Sequence, residues 1–161
     1  MRLIALTFLL CLILVGSSAA ASSQFAGRVI AVADGDTITV LTADKQQVKI
    51  RLYGIDCPES KQAFGNRARQ ATSNAVYGKD VMVEPVEIDR YGRTVGIVFT
   101  PGGDDLNTIL LREGMAWVYT QFCKKNDVCG PYRELETAAR NEKRGLWADK
   151  APVPPWEWRR R

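Results

Sequence analysis

Apolar residues along the chain recur at two spacings, and the spacing changes several times. Val48, Ile50 and Leu52 alternate with Gln47, Lys49, Arg51 and Tyr53. A period of two is the signature of a half-buried strand, and it puts Arg51 on the face turned away from the three apolar neighbours. Two further β-type runs precede it, Gly27 to Val32 and Thr37 to Leu41. Asp34-Gly35 separates them as a tight turn, and Thr42-Ala43-Asp44-Lys45 turns the chain again before Gln47. Phe64, Ala68, Ala71 and Ala75 then recur at spacings of four, three and four, the face of a helix that Gly78 ends. Val81 to Ile88 and Thr94 to Phe99 read as a hairpin joined through Asp89-Arg90-Tyr91-Gly92-Arg93.

After the break at Pro101-Gly102-Gly103-Asp104, Asp105 caps a predicted second helix carrying Leu106, Ile109 and Leu110 and closed by Gly114. Met115 to Tyr119 reads as a short strand. Pro131 opens a predicted third helix with Tyr132, Leu135 and Ala139 on one face, closed by Gly145. The order is three strands, a helix, two strands, then helices. Short strands with turn punctuation predict an α+β, mainly β domain: a five-stranded OB-type β-barrel with three helices.

The two ends of the chain depart from this pattern. Met1-Arg2, an apolar run from Leu3 to Val15, and the small residues Gly16 to Ala21 form a secretory signal pattern over residues 1–21. The apolar run falls short of the ~20 residues a membrane span needs. The expected destination is periplasmic or extracellular, with the domain proper at 22–150. Residues 151–161 hold three prolines, two tryptophans and three terminal arginines, and read as a solvated tail.

Composition narrows the chemistry. The 161 residues fit one domain with a sizeable core. The net charge of +4 permits a polyanionic partner without requiring one. No histidine is present, so acid–base or metal chemistry must run on carboxylates, arginines and water. Cys57, Cys123 and Cys129 lie beyond the signal segment. In an exported protein Cys123 and Cys129, flanking the polar stretch 124–128, are expected to close that loop as a disulfide, leaving Cys57 as the odd thiol. Zinc is the competing use, and it lacks a fourth ligand here.

Three short segments carry the candidate site: Asp34-Gly35-Asp36-Thr37, Arg51 to Glu59, and Asp89 to Arg93. Asp36 and Asp56 supply hard oxygen donors of the kind Ca²⁺ takes. Glu59, after Pro58, can accept a proton from water. Arg51 and Arg93 can each hold phosphate oxygens through parallel hydrogen bonds. Tyr91 can hydrogen-bond a phosphate or cover the barrel as a turn aromatic. Singly, each residue also has a plain role as turn former, surface acid or ion-pair partner.

Taken together, Asp-Gly-Asp-Thr, Arg-Leu-x-x-Ile-Asp-x-Pro-Glu and Asp-x-Tyr-Gly-Arg resemble the staphylococcal nuclease family, from about Gly27 to Trp147. Leu106 to Gly114 and Asn141 to Trp147 resemble parts of that family's second and third helices. The resemblance implies Ca²⁺-dependent hydrolysis of DNA and RNA leaving 3′-phosphate ends. It implies Asp36 and Asp56 as metal ligands, with Cys57 offering its backbone carbonyl, and Glu59 as general base. Arg51 and Arg93 would bind phosphate, Arg90 would add a phosphate contact, and Tyr119 would stack on a base. The chain would act as a monomer. Three departures stand out: Cys57 replaces a common threonine, Ser60 to Gly65 is shorter than the flexible loop of the best-known member, and the Cys123–Cys129 loop is absent from that member. Two rival readings are a nucleic-acid-binding module without catalysis and a Ca²⁺-stabilised interaction domain.

Overall fold

A computed structural model describes residues 23–161, so the signal reading of residues 1–21 lies outside the described residues. The strands are β1 (Phe25–Val32), β2 (Thr37–Thr42), β3 (Gln47–Leu52), β4 (Ile55–Asp56), β5 (Asp80–Ile88), β6 (Thr94–Phe99) and β7 (Trp117–Val118). The helices are α1 (Gly65–Val76), α2 (Leu106–Arg112), α3 (Asn126–Asn141) and α4 (Pro155–Trp158), with a 3-10 turn at Gly145–Ala148.

Among the described residues five strands close a barrel in the order β1-β2-β3-β6-β5. β3 and β6 run parallel, pairing Ile50 with Thr94 and Leu52 with Gly96, and the other contacts are antiparallel. This is the OB-type α+β architecture expected from the pattern. The alternation of β3 holds: Ile50 and Leu52 are buried and Arg51 is only half-buried. Val29, Ile38, Val40, Ile50, Val83 and Val98 fill the interior, and burying such side chains supplies the main drive to fold. Gly96 is required where β6 meets β5, because a Cβ there would press on the Glu84 carbonyl at 2.8 Å. Pro85 sits where the β5–β6 register shifts, the position in a sheet where proline is tolerated.

α1 packs against β1 and α2, and α2 packs against β6 and α3. Asp105 caps α2 by accepting the Asn107 N–H at 2.8 Å, as its sequence position predicts. Leu106, Leu110 and Leu111 carry α2 into the core. The β4–β7 pair joins Ile55 and Asp56 to Val118 and Trp117, so the segment after β3 is tied to a strand that packs on α3.

Two expectations are corrected. The third helix does not open at Pro131; it begins five residues earlier, at Asn126, and Pro131 lies inside it. The Cys123–Cys129 disulfide is present, and its loop is partly the first turn of α3 rather than wholly irregular. The Tyr53 hydroxyl accepts the N–H groups of Lys124 and Lys125 at 2.8 and 3.0 Å just ahead of that turn, which anchors the helix start.

The C-terminal segment is also not a solvated tail. Gln62 donates to the Val153 carbonyl at 2.6 Å, Pro155 is buried, and residues 155–158 form α4. Trp156 lies parallel to Tyr119 with ring centroids 4.9 Å apart and meets Trp117 edge-on at 5.7 Å. It thereby packs against a second apolar cluster of Trp117, Ala139, Leu146 and Trp147.

Candidate active site

The Asp34-Gly35-Asp36 turn is shaped by its own polar atoms. Asp34 accepts the Asp36 N–H at 3.1 Å, the local bond that makes aspartate a turn former. Thr72 on α1 donates to the Gly35 carbonyl at 2.5 Å. A Cβ at Gly35 would lie 2.6 Å from that of Cys57, so glycine allows this turn to close on the segment after β4. Asp36 is thereby buried at 1% exposure, with Oδ2 accepting the Cys57 N–H at 2.6 Å.

Asp56 is fully buried at the end of β4. Arg51, reaching from β3, joins the two aspartates: one terminal nitrogen pairs with Asp36 and the other with Asp56 Oδ1 at 2.7 Å. Cys57 is buried, and burial drives its thiol well above its ordinary pKa, outweighing the pull of Arg51. The thiolate is the reactive form, and burial works against it at this position beside the site. Glu59 points outward at 36% side-chain exposure. Behind it, a Cβ at Gly65 would collide with the Glu59 carbonyl, so glycine opens α1 where the chain passes closest.

The β5–β6 turn forms the opposite wall. Asp89 accepts the N–H groups of Tyr91 and Arg93 at 2.9 and 3.0 Å, and Arg93 Nε at 2.7 Å. Burial pulls the Asp89 carboxyl upward, yet these hydrogen bonds win and hold it below its ordinary range. An ionised Asp89 fixes Arg93 through Nε alone. Tyr91 stands exposed between two guanidiniums, Arg90 at 4.8 Å and Arg93 at 5.5 Å from its ring centre, and accepts a 2.7 Å hydrogen bond from Arg90.

Both walls face one cleft of about 820 Å³. It brings together Arg51, Glu59, Arg90, Tyr91, Arg93 and Tyr119 of the residues expected from sequence. Asp36, Asp56 and Cys57 do not line it; they lie beneath, and Arg51 connects both aspartates to it. Tyr119 reaches the cleft with its ring already stacked by Trp156 and touched edge-on by Phe122 at 4.7 Å. Sequence reasoning missed Arg159, Arg160 and Phe122, which also line the cleft. The arginines at the chain end were the available signal, and nothing local told where they fold back. Arg159 pairs with Asp56 Oδ2 at 2.7 Å and Glu59 Oε1 at 2.6 Å.

The donor set is oxygen only, and this suits a hard cation. Among the described residues no three His, Cys, Asp or Glu side chains gather as a ready metal cluster. Asp36 and Asp56 share one guanidinium, and Asp56 and Glu59 share another, so positive charge already occupies the place between them. Two carboxylates completed by backbone carbonyl and water match the ligands that Ca²⁺ accepts.

Comparison with known proteins decides the family. The family described as staphylococcal nuclease homologue matches residues 49–149. That stretch contains Arg51, Asp56, Glu59 and Arg93, with the cleft between them. The chain belongs to the staphylococcal nuclease family. It is 43% identical to a micrococcal nuclease of Shigella flexneri, over 89% of this chain and 85% of that protein. An Escherichia coli protein described as an uncharacterized endonuclease is 47% identical, over 84% of this chain and 85% of its own length. A similarly described Haemophilus influenzae protein is 38% identical over 99% of this chain. With this membership the chain is an enzyme of the nuclease class.

Proposed function

We propose that this nuclease is an exported, monomeric, Ca²⁺-dependent endonuclease that hydrolyses phosphodiester bonds of DNA and RNA and leaves 3′-phosphate ends. One observation carries the reading: Asp36, Asp56 and Glu59 converge on guanidinium groups at the floor of a cleft walled by further arginines. Carboxylate oxygens beside free arginine donors are what hydrolysis of a phosphodiester needs when histidine is absent.

Asp36 and Asp56, with the backbone carbonyl of Cys57, would hold the cation. Bound there, Ca²⁺ would neutralise phosphate charge and polarise a phosphoryl oxygen. Arg93 presents its two terminal nitrogens, which carry no hydrogen bond among the described residues, while Asp89 holds Nε. That leaves a planar pair of donors for two phosphate oxygens. Arg51 binds phosphate by exchanging one of its carboxylate partners. Glu59, the most exposed of the three carboxylates, takes a proton from the attacking water. The water oxygen bonds to phosphorus, the bond from phosphorus to the 5′-oxygen breaks, and Arg93 stabilises the charge developing on that oxygen. Arg90 and Tyr91 offer a phosphate contact at the rim, and Tyr119 offers a ring to a base. Export is supported by the leader pattern of residues 1–21 and by the Cys123–Cys129 disulfide, a bond kept in oxidising compartments.

Cleavage of single-stranded DNA and RNA by the purified protein, with Ca²⁺ and with a Ca²⁺ chelator, tests the proposal. Ca²⁺-dependent cleavage with 3′-phosphate products is expected. Glu59→Gln should lower turnover by about 10²–10⁴-fold, the usual worth of a positioned base. Tight binding without cleavage under any divalent ion would turn the reading to a binding module.

A further inference from the structure

The carboxylates assigned to the cation and to the water already hold a positive group supplied from the far end of the chain. Both oxygens of buried Asp56 are engaged. Oδ1 accepts from Arg51 at 2.7 Å and from Arg159 at 3.2 Å, and Oδ2 accepts from Arg159 at 2.7 Å. The same Arg159 guanidinium donates to Glu59 at 2.6 Å. One side chain thus bridges a ligand carboxylate and the carboxylate assigned to the attacking water.

The two arginines on Asp56 are not equally held. Arg51 comes from a central barrel strand, and its side chain is 18% exposed. Arg159 follows a four-residue helix near the chain end and is 40% exposed. Its segment is attached by the Gln62–Val153 hydrogen bond, buried Pro155, the packing of Trp156 on Tyr119 and Trp117, and the ion pairs themselves, and none of these is a strand pairing of the barrel. Moving Arg51 away would disturb the barrel. Moving Arg159 away would leave every barrel strand in place.

A divalent cation needs an oxygen of Asp56 that a guanidinium now fills, and like charges a few ångströms apart repel strongly beside a buried site. We propose that Val153–Arg161 is a latch displaced by the metal: Arg159 occupies the cation's place on Asp56 while pairing with Glu59, and Ca²⁺ binding expels it. This rests on the metal-site reading of Asp36 and Asp56 given above. With the latch seated, Glu59 is paired and Arg159 and Arg160 stand in the substrate cleft, so the latched enzyme is closed. The family match ends at Asp149, so the latch belongs to sequence beyond that stretch.

Linkage requires the effect to be reciprocal: if the metal weakens Arg159 docking, removal of Arg159 must strengthen metal binding by the same factor. Calorimetric titration of Ca²⁺ alone into wild type, Arg159→Gln and Asp56→Asn tests this without substrate or turnover. Arg159→Gln should bind roughly tenfold tighter than wild type, within the usual span of such couplings. Asp56→Asn should lose binding. Independently, saturating Ca²⁺ should speed hydrogen exchange at the wild-type amides of Arg159 and Arg160, which now bond to the carbonyls of Pro155 and Glu157. Equal or weaker Ca²⁺ affinity in Arg159→Gln, or exchange unchanged by Ca²⁺, would overturn the latch while leaving the metal site standing. Absence of Ca²⁺ binding in both wild type and Arg159→Gln would overturn the metal site and the latch together.

Discussion

The cleft has two arginine-and-aromatic walls built in opposite ways. On one side Arg90, Tyr91 and Arg93 stand on a single turn between β5 and β6, and the ion pair that orients Arg93 spans four residues. On the other, Trp156 stacks on Tyr119, and Arg159 reaches carboxylates 100 and 103 positions earlier. The chemistry is alike; the means of placement is not. A wall held by local bonds keeps its shape whenever its turn forms. A wall held by long-range contacts exists only after the barrel and helices have assembled, and it can detach without unfolding them.

Substitutions can sharpen this contrast. The largest effect is expected at the local wall. Arg93→Lys keeps the charge but loses the Nε bond to Asp89 and the paired donors, so turnover should fall about 10²-fold with little change in substrate affinity. Steady-state kinetics separating kcat from KM would check it, and unchanged turnover would remove Arg93 from the chemistry.

The disulfide comes next, because it holds the chain that leads into α3 behind the long-range wall. Replacing Cys123 and Cys129 by serine should cost about 2–3 kcal/mol, the range for closing so short a loop. Denaturant titration measures it. A loss below about 0.5 kcal/mol would mean that α3 is anchored without the bond, by Tyr53 and packing alone.

A smaller effect is expected from Trp156→Ala. The lost stack is worth about 0.5–1.5 kcal/mol, and it should appear as faster exchange in residues 153–161 with little change in global Tm. A drop in Tm as large as that of a core truncation would show the two walls to be equally integral.

The smallest effect is electrostatic. Asp89 has a folded pKa below its ordinary 3.8, so its stabilisation is present above that pH and is lost as pH falls through the folded value. Thermal melts between pH 2 and pH 5 should be steeper in pH for wild type than for Asp89→Asn. Parallel curves would mean that the turn bonds contribute no net stability.

Much of the site was legible before folding because its signals are short-range. Alternation at Val48, Ile50 and Leu52 predicts the side on which Arg51 emerges, since strand geometry turns successive side chains to opposite faces. The Asp105 cap and the Asp89–Arg93 turn follow from bonds within four residues. The start of α3 was misread because Pro131 is tolerated inside the helix, and the disulfide and Tyr53 stabilise an earlier start than proline punctuation signals.

By itself, the sequence determined the order of the five barrel strands and of the first three helices, the absence of histidine chemistry, the family motif and the charged residues of the three short motif segments. Tertiary structure alone decided three things. It closed the barrel through the parallel β3–β6 contact. It placed Asp36 and Asp56 against the same guanidinium. It folded the arginine-rich end back onto Glu59. The physical reason is range: backbone periodicity, caps and turns are written in a few neighbouring residues, whereas a buried ion pair between distant positions forms only where the packed core brings both ends together and excludes water from them.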